Sequence, residues 1–74
     1  MTTTKTNIPV GWLVRLTNEN GEMFRTFDYE QLGNAQGMAT AILGLETKYG
    51  TVCFVEIVAY NADNETWVYE EMEF

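Results

Sequence analysis

The stretch GWLVRLTNENGEMFRTF, residues 11–27, decides the fold because it holds two strand-like segments on either side of a turn. Residues 11–17 and 22–27 are rich in β-branched and aromatic side chains, which is typical of β-strands. Between them, Asn20 and Gly21 form the strongest short hairpin signal, since both residue types tolerate positive φ. The stretch therefore predicts a β-hairpin.

A helix is predicted directly after this hairpin. Asp28 is suited to be its N-cap, with Gln31 as the capping-box partner three residues later. Apolar residues then recur every three or four positions over residues 32–49, and Gly50 suits the left-handed residue that follows a helix. The spacing predicts a helix of about twenty residues and roughly 30 Å.

Three glycines lie inside the predicted helix, at Gly33, Gly37 and Gly44. Each costs about 1 kcal/mol of helix stability relative to Ala. Their presence predicts a close approach of the helix backbone to the sheet. The alternative is a break at Gly33, with the helix beginning at Asn34.

Residues 51–60 form the most strand-like segment, and residues 66–74 follow as a last strand after a polar turn of hairpin length, residues 61–65. The element order is ββαββ, which predicts an α+β fold. We expect a two-layer sandwich with a four-stranded, mainly antiparallel sheet and one helix on one face. Residues 11–74 are expected to form a single domain after a flexible polar N-terminus, residues 1–10. The sequence does not fix the strand order.

Composition excludes several function classes. The 74 residues contain 4 Lys and Arg against 11 Asp and Glu, a net charge of −7, which excludes a nucleic-acid binder with a basic stripe. The chain has no His and no Ser, so Ser-His and Cys-His nucleophile systems are excluded, and no metal-ligand set is present. We therefore expect neither an enzyme nor a cofactor. The single Cys53 cannot form an internal disulfide, which favours the cytoplasm, and no apolar stretch reaches the ~20 residues of a membrane span.

Alternation along the last two strands suggests a binding face. Cys53, Val55, Ile57 and Ala59 share one aliphatic face suited to lie under the helix, which leaves Val52 and the rings of Phe54, Tyr60, Trp67 and Tyr69 on the other face. Exposed Trp and Tyr are typical of interface hot spots. The predicted partner-binding residues are Glu56, Glu65, Trp67, Tyr69, Glu70, Glu71 and Glu73.

Each part of this set has a structural alternative. In so small a chain, large aromatic side chains such as Trp12, Trp67 and Tyr69 also serve as core. Residues 57–74 contain five carboxylates and no Lys or Arg. Such a row is suited to compete for a basic groove that binds phosphates, by mimicking nucleic acid. It is also typical of an edge strand whose charges prevent edge-to-edge pairing.

The layout resembles small phage-encoded inhibitors of host machinery, in particular anti-CRISPR proteins of ββαββ type. The resemblance is carried by Asp28-Tyr29-Glu30-Gln31-Leu32 with Ala35 and Ala39, Tyr49-Gly50-Thr51-Val52, Val55-Glu56-Ile57 and Trp67-Val68-Tyr69. It implies a single-domain protein without chemistry of its own that occludes a host effector complex. This chain is acidic throughout, whereas some of those proteins present Lys and Arg to their target, so no binding residue is transferred.

Two hypotheses follow. The first is an acidic inhibitor from a phage or mobile element that acts in the bacterial cytoplasm. It would bind a basic surface of a protein or nucleoprotein effector, such as a CRISPR-Cas-like complex, without binding nucleic acid or membrane. The second is a module that forms homo-oligomers, such as a homodimer, through the same open sheet face.

Overall fold

The computed structural model describes residues 8–74, and these contain one helix and five strands. The elements are β1 (Gly11–Asn18), β2 (Met23–Tyr29), α1 (Leu32–Ile42), β3 (Glu46–Thr47), β4 (Gly50–Tyr60) and β5 (Thr66–Glu73). The predicted α+β class with an antiparallel sheet and a single helix is confirmed, and the two-residue β3 is an addition to the four predicted strands. Most of the predicted flexible N-terminus, residues 1–7, lies outside the described residues. In the remaining part, the backbone N–H of Val10 donates a hydrogen bond to the Tyr60 carbonyl at 2.8 Å.

The sheet places β1 and β4 at its centre. The strand order is β2-β1-β4, with β3 and β5 on the remaining edge of β4, and every pair is antiparallel. Helix α1 packs across β1, β4 and β2 on one face of this sheet. The buried core between the two layers is formed by Trp12, Val14, Leu16, Ala35, Ala39, Val52, Val55, Ile57 and Ala59.

Helix α1 is about half as long as the spacing predicts. Its N-cap is Gln31, because the predicted cap, Asp28, is still paired with Leu13 in the β1–β2 ladder. The helix ends at Ile42, and Gly44 then takes a left-handed φ of 86°. The following residues pair with the start of β4 as the short strand β3 instead of continuing the helix. The apolar residues after Ile42 that fit a helical spacing therefore lie beyond the end of the helix, in the segment that forms a turn and strand β3.

The helix glycines do not mediate the contact with the sheet, so that prediction is wrong. Gly33 and Gly37 are exposed, and a Cβ built at either would meet no atom within 4 Å. The residues that face the sheet are Ala35 and Ala39, both fully buried. Small side chains at these two positions allow the close approach.

The two long hairpin turns, residues 18–22 and 61–65, share one hydrogen-bond arrangement. In each, the side-chain oxygen of the buried first Asn accepts the backbone N–H groups two and four residues later, at 2.9–3.0 Å. Its side-chain amide donates to the Glu carboxylate at the fifth position, at 3.3 Å and 3.0 Å. The fourth residue has positive φ, 79° at Gly21 and 62° at Asn64. The shared pattern Asn-x-x-(Gly or Asn)-Glu fixes both hairpins.

Candidate partner-binding face

The sheet face away from α1 is covered by no element among residues 8–74. We call it the open face. Alternation along the strands and the pairing registers assign its residues. They are Leu13, Arg15, Thr17, Met23, Thr26, Asp28, Phe54, Glu56, Val58, Tyr60, Thr66, Val68, Glu71 and Glu73.

A β-bulge at Tyr69 decides which side of the sheet the last strand presents. Val58 pairs with Val68, whereas the next residue of β4, Ile57, pairs with Glu70, so Tyr69 is the extra residue. One inserted residue shifts the alternation by one position, and side chains beyond it change faces. Strict alternation through β5 is therefore the wrong reading of this strand.

Two of the four aromatic residues predicted on the open face, Trp67 and Tyr69, lie on the helix side instead. Trp67 pairs with Ala59, whose side chain is fully buried under α1, and its half-buried ring packs against the core. The Tyr69 ring meets the edge of Trp12, with centroids 4.9 Å apart and an interplanar angle of 74°. Trp67 thus packs against the edge of the core, and Tyr69 covers Trp12 while remaining 49% exposed.

A second bulge lies at Cys53 in β4. Thr17 pairs with Phe54, but the next residue, Asn18, pairs with Val52. Val52 therefore joins the buried core, and the half-buried Cys53 is the extra residue. The prediction that Val52 lies on the face away from the helix is therefore wrong, because one extra residue shifts the alternation as it does at Tyr69.

The open face is organised in rows across the strands. Leu13, Val58 and Val68 are direct neighbours and form an apolar row in which Val58 is buried and Val68 is 49% exposed. The next row along the strands is Arg15, Glu56 and Glu71. An apolar row and a charged row thus lie side by side.

Three of the predicted carboxylates meet on this face. Glu56 and Glu71 are directly paired across β4 and β5, and Glu73 follows Glu71 on the same side. The Arg15 guanidinium lies 3.9 Å from the Glu56 carboxylate, and it is the only ion pair among residues 8–74. We call Glu56, Glu71 and Glu73 the acidic row. One cation for three anions leaves this row strongly negative.

The remaining predicted carboxylates lie elsewhere. Glu70 lies on the helix side, where it accepts a hydrogen bond from the Gln36 side-chain amide at 3.1 Å. Glu65 belongs to the second hairpin turn, where the Asn61 amide donates to it at 3.0 Å. The structure therefore divides the seven predicted partner-binding residues between two faces and a turn.

A polar contact near the apolar row was missed by the sequence analysis. The Tyr60 hydroxyl donates to the Asp28 carboxylate at 2.7 Å. This hydrogen bond raises the pKa of Tyr60, because the bond stabilises the protonated phenol. A cavity of about 290 Å³ lies beside the pair and is also lined by Leu13 and Thr66. Alternation from Leu13 to Thr17 in β1 was the available signal for this part of the face.

The described part of the chain offers no metal centre. No three Cys, Asp or Glu side chains within residues 8–74 lie close enough to hold a metal ion. Helix α1, the only helix in that range, has neither the length nor the hydropathy to cross a membrane. Comparison of the chain with protein-family models, curated proteins and solved structures found no match. The open face is therefore the candidate site that geometry alone supports.

Proposed function

We propose that the protein is a small non-catalytic inhibitor that binds a basic, nucleic-acid-handling surface of another protein through its open face. The single observation that carries this proposal is the acidic row Glu56, Glu71 and Glu73 beside the exposed Val68 on an uncovered sheet. The resemblance to anti-CRISPR proteins suggests a bacterial defence effector as the target, and the host cytoplasm as the place of action.

Charge and shape support this function together. Alternate carboxylates on a strand lie ~6.6 Å apart, so Glu71 and Glu73 present two anions along one line. A net charge of −7 attracts a basic surface over a distance and raises the association rate. In the apolar row, the exposed Val68 and the half-buried Leu13 provide accessible apolar surface, which the centre of a protein interface needs, and the buried Val58 lies between them.

Charge argues against the alternative of a homodimer through the open face. A twofold contact centred on the open face would bring the two acidic rows close together, and among residues 8–74 each copy has only Arg15 on this face to offset the three carboxylates of its row. Like charges facing each other across an interface cost several kcal/mol. An inhibitor with a basic partner is therefore the better explanation of the same surface.

The experiment compares two triple variants of equal net charge. The first, Glu56→Gln, Glu71→Gln and Glu73→Gln, neutralises the acidic row. The control, Glu22→Gln, Asp63→Asn and Glu70→Gln, neutralises two carboxylates in the hairpin turns and one on the helix side, and keeps a side-chain oxygen at each position. Binding of each protein to purified CRISPR-Cas effector complexes is measured by biolayer interferometry at two salt concentrations, together with target-DNA cleavage.

We expect the native protein to bind and inhibit an effector, with weaker binding at higher salt. The acidic-row variant should associate about tenfold more slowly, while the control should stay within about threefold of the native rate. Equal effects of the two variants would show that only net charge matters and would contradict the role of the open face. If the native protein sediments as a stable dimer, the result would favour the alternative of a homodimer.

A further inference from the structure

A second surface lies on the helix side of the sheet, away from the acidic row. It is a groove of about 240 Å³ between β2, the end of α1 and the turn that joins β3 to β4. We call it the aromatic groove. Its walls include Phe24, Phe27, Ile42 and Tyr49, with Arg25 and Lys48 at the rim.

The apolar walls are accessible. Phe24, Phe27 and Ile42 are half-buried, and Tyr49 is 46% exposed. The rings of Phe24 and Tyr49 lie 5.5 Å apart with a tilt of 32°, so they form one continuous wall. A concave aromatic surface of this kind is suited to hold an apolar side chain.

The groove also gathers the positive charge of an acidic protein. Residues 8–74 contain three cations, and Arg15 is paired with Glu56 on the open face. The other two lie at the groove: the Arg25 guanidinium is 5.3 Å from the Phe27 ring centroid, and the Lys48 ammonium is 5.2 Å from that of Tyr49. Neither cation forms an ion pair with a carboxylate of the described residues.

One anion lies near this rim without an ion pair to it. Glu22 is not part of the groove wall, but it lines an adjoining cavity together with Phe24, Lys48 and Tyr49, and it forms no ion pair with Lys48. Its carboxylate accepts a hydrogen bond from the Asn18 side-chain amide at 3.3 Å. The rim therefore keeps two cations beside an apolar surface, which complements an anionic partner.

The volume of the aromatic groove indicates what kind of partner it can hold. Sites for small molecules and cofactors usually have about 300–1,000 Å³, and 240 Å³ is below this range. A groove of this size matches one large side chain of a protein. We propose that the aromatic groove binds an acidic peptide segment of a protein partner, with one Phe-like side chain inserted and carboxylates beside Arg25 and Lys48.

This inference is independent of the open face and is tested with a defined probe. The probe is a capped peptide with one Phe between two pairs of Glu, titrated into the ¹⁵N-labelled full chain and followed by backbone amide shifts. Two control peptides replace Phe by Ala or Glu by Lys. Arg25→Gln and Lys48→Gln test the rim, and Arg15→Gln is the matched control, because it removes the same charge from the open face.

We expect saturable shifts at Phe24, Phe27, Ile42 and Tyr49. Each rim variant should weaken binding roughly fivefold to tenfold, about 1–1.4 kcal/mol at 25 °C, and Arg15→Gln should change it less than about twofold. Retained dispersion of the amide spectrum confirms that each variant is folded.

Four results would overturn the proposal, three of them with the peptides and one with lipid vesicles. The first is no saturable shift up to about 5 mM peptide, which excludes even a weak site. The second is equal binding of the Ala and Phe peptides, and the third is an Arg15→Gln effect as large as those at the rim. Binding of phosphatidylserine vesicles instead of the peptide, lost in Arg25→Gln and Lys48→Gln, would assign the groove to lipid and would also reject a peptide site.

Discussion

Replacing Gly37 by Ala is expected to stabilise the protein. Gly37 lies inside α1, is exposed, and has no atom within 4 Å of the position that a Cβ would take. Since Ala favours a helix interior by about 0.8–1 kcal/mol over Gly, and no contact opposes this gain, most of it should appear in the free energy of unfolding. At roughly 4–8 °C per kcal/mol for a domain of this size, the melting temperature should rise by about 3–8 °C. Gly33→Ala, in the first turn, should give a smaller increase.

The assay is thermal and urea unfolding followed by circular dichroism, with Gly21→Ala as the matched control. Gly21 is also exposed and also has no neighbour within 4 Å of an added Cβ, but its φ is 79°. An Ala in this conformation costs roughly 1–2 kcal/mol, so the control should be destabilised. Gly44→Ala should be destabilised further, because its φ is 86° and its Cβ would overlap the Phe74 ring.

The refuting result is a Gly37→Ala variant destabilised as much as Gly21→Ala. That outcome would mean that a side chain at Gly37 meets the sheet. The glycines would then mediate the approach of the helix, as their position in the sequence predicts, and the buried contacts of Ala35 and Ala39 would be misplaced.

Two further predictions concern the turns. Asn61→Ala should lower the free energy of unfolding by about 1–3 kcal/mol, because it leaves buried polar groups of the Asn61–Glu65 turn without partners. Urea unfolding measures this change, and an unchanged midpoint would contradict the role of the turn. The second prediction concerns Glu19, whose carboxylate accepts a hydrogen bond from the Thr51 backbone N–H at 3.0 Å. This bond lowers the pKa of Glu19 below its usual 4.5. The ionised carboxylate therefore stabilises the fold at a pH above its pKa in the unfolded chain, and the stabilisation is lost as the pH falls through its pKa in the folded protein. Glu19→Gln should therefore lose less stability than the native protein on acidification below about pH 4.5, as measured by urea midpoints, and an unaltered pH profile would reject the linkage.

The candidate site was only partly predictable. Glu71 and Glu73 were predicted on one face because they lie two residues apart on one strand, and alternation within β4 assigned Glu56 to the same side. The direct pairing of Glu56 with Glu71 is known only from the structure. Trp67 and Tyr69 were misplaced because the bulge at Tyr69 changes the alternation within β5. A bulge depends on how two strands pair, and β5 alone contains no residue type that marks it.

The sequence by itself determined the elements that depend on neighbouring residues. The Asn20-Gly21 turn, the strand composition on either side of it and the central helical spacing all act over a few residues, so both long hairpins and the helix between them were predictable. Tertiary structure decided the length of α1 and the faces of the last strand. Beyond Ile42, pairing of β3 with β4 replaces the helix, and at Tyr69 one unpaired residue places Trp67 on the helix side, against the core. Both outcomes depend on backbone pairing between segments, which local periodicity does not encode.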